Sequence, residues 1–339
     1  MKGKARNISC DFIRVLALIL VIINHTRNKP WAENIYIDSA VQTVIALCNG
    51  LFFLLSGKFN LSKEFNTKKD YASFYKKRVI DILMPYVLIS MVLSYWNLKD
   101  EGIWITPKGY IMTAVQDLFS GNMNYHLWFM FFLIGYIVST PFLSKMLHAM
   151  DNWELHIAFG ISVLWQIASV YVAPIRNIGF GYTGWILYGW ALYYFAGYYL
   201  DRVMDEKKER YLYIAGALSY LATVIGMIVL GGEFPGKHDY SILFVIFCMS
   251  VFWFLQKNIK INNNVARAII LFVAKHSFVM YLIHYNVRWL ANPFVEGMGT
   301  VLEFIVRIVL TFVFSLALAF VIDLLFDQLK KLLGKVLGV

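Results

Sequence analysis

The chain is short of charge. Asp, Glu, Lys and Arg make up 15% of its 339 residues, where a soluble domain carries roughly a quarter. So few charges cannot cover a water-soluble globule, and that class is excluded. Cysteine is scarce as well: Cys10, Cys48 and Cys248 are odd in number, scattered, and set in or beside apolar runs. That pattern excludes a disulfide framework and a CxxC metal or redox site, and leaves small apolar packing residues. No cluster with metal-ligand spacing occurs, so no metal is expected. There is no GxGxxG and no GK[ST]. The glycine-rich NIGFGYTGW (Asn177 to Trp185) therefore reads as a short connection rather than a nucleotide loop. Internal repeats, low-complexity runs and a soluble domain are also missing, which makes residues 1–339 one domain.

What is abundant is apolar length: 59% hydrophobic and 17% aromatic residues, in runs of about 17 to 25 that suit bilayer-crossing helices. Spans fall near 10–27, 39–60, 79–97, 127–147, 155–173, 184–200, 211–231, 240–256, 269–290 and 301–326. The expected fold is thus all-α, a polytopic bundle of about ten transmembrane helices in a cell membrane. The net charge of +10 does not point to nucleic acid, because the basic residues sit in short loops rather than in aromatic-interleaved patches. With a cytoplasmic N-terminus, twenty-two Lys and Arg fall inside and seven outside, and this asymmetry places both termini in the cytoplasm. The first span follows Lys2, Lys4 and Arg6, and NHTRNKPW after it offers no small-residue cleavage site, so it reads as a retained signal anchor. PKGYIMTAVQDLFSGN (Pro107 to Asn122) is too short and polar to cross and is expected as an interfacial outer helix that roofs a cavity. The charged DRVMDEKKER (Asp201 to Arg210) reads as a solvated inner loop.

Ionisable residues at membrane depth are the candidates for chemistry. The first span, DFIRVLALILVIINH, holds Asp11, Arg14 and His25. Arg14 and His25 are eleven apart, three helical turns plus about 20° and a climb of roughly 16 Å, so both project from one face. Asp11, three residues before Arg14, can pair with it. His25 is a general base, work that an imidazole suits, or a histidine satisfied by hydrogen bonds at the interface. His126 and Trp128 open the fourth span, where an aromatic beside a histidine suits a sugar ring as well as an interfacial belt. Tyr281 and His284 are three apart, and Glu303 and Arg307 four apart. Each is a structural pair or lines an acceptor site.

Four segments resemble, in order, the motifs of the acyltransferase 3 family of multi-pass membrane enzymes. They are the Arg14 to His25 spacing, NGLFFLLSGKF (Asn49 to Phe59), YHLWFMFFL (Tyr125 to Leu133) and SFVMYLIHYNV (Ser277 to Val287). FYKKRVIDILMPY (Phe74 to Tyr86) keeps the family's basic pair and Pro85, but Asp81 stands where a second arginine is common. The resemblance implies an acetyl-CoA-dependent O-acetyltransferase. Acetyl-coenzyme A would arrive from the cytoplasm as co-substrate, its phosphates held by Arg14 and by Lys76, Lys77 and Arg78, which also read as positive-inside anchors. His25 would be the catalytic base. His126, Trp128, Tyr281, His284, Glu303 and Arg307 would line the site of an extracytoplasmic glycan or lipid-linked sugar, as in cell-envelope polysaccharide modification. The rise of about 16 Å from Arg14 to His25 is comparable to a pantetheine arm. The alternative is a solute transporter with a proton-relay histidine. It lacks matched Gly/Pro-broken spans or an inverted repeat.

Overall fold

In hydrocarbon a segment must satisfy its own backbone N–H and C=O groups, and each apolar run does so by winding into a helix. The computed structural model describes residues 7–103, 106–121, 124–176, 178–181, 184–231, 234–235 and 238–337. Lys2, Lys4, Arg6, Asn122, Asn177, Tyr182, Thr183 and Lys237 lie outside them, as do the side chains of Tyr125 and Lys335. In chain order the helices are α1 (Ile8–His25), α2 (Ile35–Ile45), α3 (Leu47–Leu61), α4 (Lys68–Arg78), α5 (Met84–Asp100), α6 (Pro107–Ser120), α7 (Trp128–Ala149), α8 (Asn152–Ile167), α9 (Ala173–Ile175), α10 (Trp190–Val203), α11 (Glu206–Leu230), α12 (Ile242–Asn258), α13 (Asn264–Val287), α14 (Asn292–Val295) and α15 (Thr300–Leu337). The described residues contain no strand, so the chain is all-α.

Among the described residues, eight helical runs are long and apolar enough to cross a membrane: 8–25, 35–61, 68–100, 128–149, 152–172, 206–230, 264–295 and 300–331. Two of the ten expected spans become shorter helices. One is α12, with 17 residues. The other is α10, with 14 residues, about 21 Å of helix where the hydrocarbon core is about 30 Å. It begins at Trp190 rather than 184 because Gly189 holds a positive φ of 67° just before it. Most of α10 is buried among protein side chains, with Leu192, Tyr193, Tyr194, Phe195 and Ala196 almost sealed off. Such a helix does not face lipid and has no need to match its thickness.

Two prolines explain two irregular turns. A proline lacks an N–H and crowds the carbonyl four residues back. Pro85 and Pro174 each follow a single π-helical turn, residues 79–83 and 168–172, that contains the carbonyl in question. The run therefore continues from Lys68 to Asp100, eleven residues earlier than the expected start at 79. The charged 201–210 segment is likewise mostly helical. Only Met204 and Asp205 separate α10 from α11, and the Asp205 carboxylate caps α11 by accepting from Lys208 N at 2.9 Å. That backbone donor holds its carboxyl below the usual range.

The chain divides into two compact units, residues 1–64, 140–275 and 299–304 in the first, 65–139, 276–298 and 305–339 in the second. The first unit is organised on α3 against α10. A Cβ at Gly57 would overlap the Tyr194 carbonyl oxygen, and one at Gly197 would overlap that of Leu54. Backbone thus meets backbone, the close approach that small residues permit where lipid removes any hydrophobic drive between helices. On α11, Gly216, Ser219, Thr223 and Met227 are buried while Ile214, Leu218, Leu221, Ile225 and Val229 are exposed. In the second unit α15 repeats the pattern, with Thr311, Ser315 and Ala319 buried and Val309, Val313, Val321 and Leu325 exposed. A stripe of small and polar residues inside and large apolar ones outside is the arrangement for lipid.

Candidate functional site

In the first unit the site is laid out along α1. Asn7 caps its start, accepting from Ser9 N and Cys10 N, and the helix runs without a break to His25. Arg14 and His25 therefore share one face, about 16 Å apart along the axis. Arg14 Nη1 donates to Asp11 Oδ1 at 2.8 Å, and the two side chains are 32% and 5% exposed. The expected pair is present, and it supplies a buried carboxylate with its cation. At the same end, Lys58 of α3 forms an ion pair with Asp201 of α10, which also accepts from Gln256 Nε2 at 3.1 Å. Ser9 Oγ donates to the Gln256 carbonyl at 3.0 Å.

The other end of α1 carries half-buried His25. Beside it, the Asn24 side-chain oxygen accepts from Gln42 Nε2 at 3.0 Å, and Gln42 Oε1 accepts from Lys29 Nζ at 2.9 Å. Burial pushes the Lys29 ammonium below its usual pKa. Thr43 Oγ1 lies 3.3 Å from His238 Nε2. Glu303, at the start of α15, accepts from Asn28 Nδ2 at 2.9 Å, and Phe304 packs edge-on against Trp31 with ring centres 4.9 Å apart.

The second unit gathers the other predicted residues. His126 and His284 are 3% and 1% exposed, with rings perpendicular and 6.0 Å apart. Tyr281 donates its hydroxyl to the His126 carbonyl at 3.1 Å, and His126 Nε2 donates to the Leu282 carbonyl at 3.4 Å. His284 Nδ1 donates to the Tyr281 carbonyl at 2.6 Å. A carbonyl only accepts, so in each contact the ring nitrogen that faces it carries a proton. Tyr285 stacks on His126 at 4.7 Å, and the Arg288 guanidinium lies 3.5 Å over Tyr285. Trp128 is half-buried, edge-on to Phe132 at 5.9 Å. Arg307 donates to the Asn292 side-chain oxygen.

A model of the acyltransferase 3 family, an acyltransferase domain, matches residues 7–324. The chain belongs to this family. The four motifs that carry the resemblance all lie inside the match. No curated protein and no solved structure matches the chain significantly. Membership makes it an acyltransferase-type membrane protein and accounts for ionisable side chains among its apolar helices.

Within this acyltransferase the cations at 76–78 lie where α4 meets the first π-helical turn. Lys76 and Arg78 are half-buried and Lys77 is exposed. Arg78 sits 5.1 Å over the Phe74 ring. Asp81, the departure from the family pattern, pairs with Lys77 at 3.9 Å and with Lys330 of α15 at 3.6 Å. It thus draws on one of the three cations expected for phosphate, and Lys330 enters the same charge cluster.

Several side chains in these clusters carry no signal that spacing alone reveals. Lys58 and Asp201 are 143 residues apart, and nothing in the local pattern around either points to the other. Asn24, Lys29 and Gln42 look like loop and helix polarity until the fold joins them. The second unit also buries a polar network in which Asp117 Oδ2 accepts from Ser94 at 2.8 Å and Asn124 at 2.5 Å. His276, 2% exposed, meets Asp323 at 2.5 Å. Among the described residues no three His, Cys, Asp or Glu side chains form a metal-binding group, and the three cysteines are free and buried.

Proposed function

We propose that this acyltransferase moves an acetyl group from cytoplasmic acetyl-coenzyme A to a hydroxyl of an extracytoplasmic sugar, in a cell-envelope polysaccharide or its lipid-linked precursor. The observation that carries the reading is α1, one unbroken helix with Arg14 at one end and His25 at the other on the same face. Arginine suits the donor phosphates because its planar fork matches phosphate oxygens, and Lys76, Lys77 and Arg78 of the second unit are further candidate cations for phosphate. The basic residues support the orientation: counting α10 and α12 as crossings, Lys58, Lys76, Lys77, Arg78, Lys207 and Lys330 share the side of the N-terminus.

His25 acts as the base. Its neutral imidazole takes the proton of the acceptor hydroxyl while the hydroxyl oxygen attacks the thioester carbonyl. The new C–O bond forms, the C–S bond breaks, and the coenzyme thiolate leaves with the proton that the imidazolium returns. An imidazole can both accept and return a proton, so one side chain serves both steps. In the second unit, His126, Tyr281 and His284 would hold the acceptor-side framework through their carbonyl contacts. Trp128 would offer a half-buried ring to a sugar face, and Glu303 and Arg307 would offer polar groups at the start of α15.

The test is mass spectrometry of surface glycans from cells with the wild-type chain, with His25→Ala and without the chain. One additional acetyl per modified sugar in the wild type alone is expected. Acetylation that persists with His25→Ala at equal protein level refutes the assignment of the base.

A further inference from the structure

Two hydrogen-bond donors in the segment that follows α1 lack the partners their chemistry calls for. The Lys29 ammonium is half-buried, yet its one hydrogen bond, at 2.9 Å, goes to a neutral amide oxygen, Gln42 Oε1. The influential carboxylate, Asp38, sits one turn earlier on α2 and does not close to an ion pair. Two residues on, the Trp31 indole N–H is buried with no acceptor. A buried donor left unmade is costly, and so is a partly buried ammonium with no carboxylate closed on it, so the two in one short segment call for a shared explanation. Gln42 is also engaged on its other side, donating to Asn24 Oδ1 at 3.0 Å. Asn24, Lys29 and Gln42 are thereby held as a preformed row next to His25 in the sequence, and all belong to the first unit.

Two structural accounts are weaker. If Lys29 only braced the segment against α2, a glutamine or serine would do so without partly burying a charge, whose desolvation is the costly part. If the ammonium served solubility, it would be exposed. A cation held by one neutral amide oxygen, with Asp38 not closed on it, is instead arranged for an anion that comes and goes, since a resident carboxylate would compete with it.

Resting on the proposed acyl transfer to a sugar, we infer that Lys29, set by Gln42 and Asn24, is a specificity subsite for an anionic substituent of the acceptor, a carboxylate or a phosphate. Lysine is a point charge and serves either group. The depressed pKa of Lys29 agrees with this role, because an arriving anion restores the proton affinity that burial removes. Trp31 adds an N–H donor in the same segment. The acceptor class is then an acidic glycan or a phosphate-bearing sugar intermediate rather than a neutral polymer.

The experiment uses the full chain in nanodiscs and three soluble probes of matched size: a disaccharide with one glucuronate, a disaccharide phosphate and a neutral disaccharide. Binding is read by saturation-transfer NMR and acetyl transfer by release of coenzyme A. The anionic probes should bind roughly tenfold more tightly than the neutral one, about the effect of one charge-assisted hydrogen bond. Lys29→Gln should remove that advantage and leave the neutral probe unchanged, and Lys29→Arg should keep it. Gln42→Glu is the second variant. It places a carboxylate where the ammonium already donates, so it should abolish anion preference while retaining the brace. The tighter of the two anionic probes identifies the natural group. If no probe is acetylated but this binding pattern holds, the transfer reading fails and the subsite stands. Equal binding of all three probes by the wild type overturns the inference. So does unchanged anion binding in Lys29→Gln, or equal weakening of neutral and anionic probes.

Discussion

Arg14→Lys separates a residue that grips the donor from one that does chemistry. Arg14 shares a 2.8 Å hydrogen bond with the 5%-exposed Asp11, so the choice of replacement matters. Alanine would strand that buried carboxylate, which typically costs about 3–5 kcal/mol, and the loss of fold would hide the function. Lysine leaves Asp11 a cation and removes the planar fork. If the fork holds a donor phosphate, losing one charge-assisted hydrogen bond costs about 1.5–3 kcal/mol. At 1.4 kcal/mol per decade that is roughly a ten- to hundredfold rise in the KM for acetyl-coenzyme A with kcat little changed. His25→Ala should do the reverse, lowering kcat at nearly normal donor affinity. The assay is initial rate against donor concentration in vesicles, with donor binding by calorimetry and thermal unfolding of the same preparations as the folding control. Normal donor binding with only kcat reduced in Arg14→Lys would refute the phosphate role. The donor would then have to be held by the Lys76, Lys77 and Arg78 cluster.

Two further outcomes test the fold and its orientation. Gly197→Ala should lower the unfolding temperature markedly, because its Cβ meets the Leu54 carbonyl and backbone cannot yield as a side chain can. Ordinary overpacking costs about 1–3 kcal/mol, and a thermal-shift midpoint equal to wild type would deny the α3–α10 contact. For orientation, cysteine at exposed Asn66 should react with impermeant maleimide only from the cytoplasm and at exposed Lys108 only from outside. Reversed labelling would overturn the donor route.

Much of this was legible because lipid enforces simple rules. A long apolar run must be helical, and an eleven-residue separation on a helix must return to the same face, so α1 with its Asp11–Arg14 pair follows from residues alone. Length was harder to read where the surroundings are protein. Residues 184–200 have the composition of a span, yet Gly189 delays α10 and the burial of Tyr193 to Ala196 frees it from bilayer thickness. Helix starts at 68 and 206 were hidden by charged residues that sequence reasoning assigns to loops. Thr67 and Asp205 are the caps that give them away. Glu303 and Arg307 show the limit of spacing: it says nothing of the Asn28 amide that donates to Glu303 or of the Asn292 side-chain oxygen that accepts from Arg307. Partners hundreds of positions away leave no trace in local pattern.

The same physics explains why buried polarity alone does not mark the site. With lipid outside, helices gain nothing by burying more carbon, so they associate through close backbone contact and polar side chains. Ser219 and Thr223 on α11 are buried for that reason, and the Thr223 hydroxyl donates back to the Ser219 carbonyl of its own helix at 2.9 Å. His126 and His284, though chemically versatile, are likewise spent on carbonyls in their own unit. What distinguishes a working group is a position that packing does not require. Arg14 keeps about a third of its surface open although its partner Asp11 is buried, and Lys29 holds a charge where a neutral donor would serve. By that criterion the residues proposed as functional in the first unit follow α1 and the segment after it, and in the chain His25 stands between the cation proposed for the donor and the cation proposed for the acceptor.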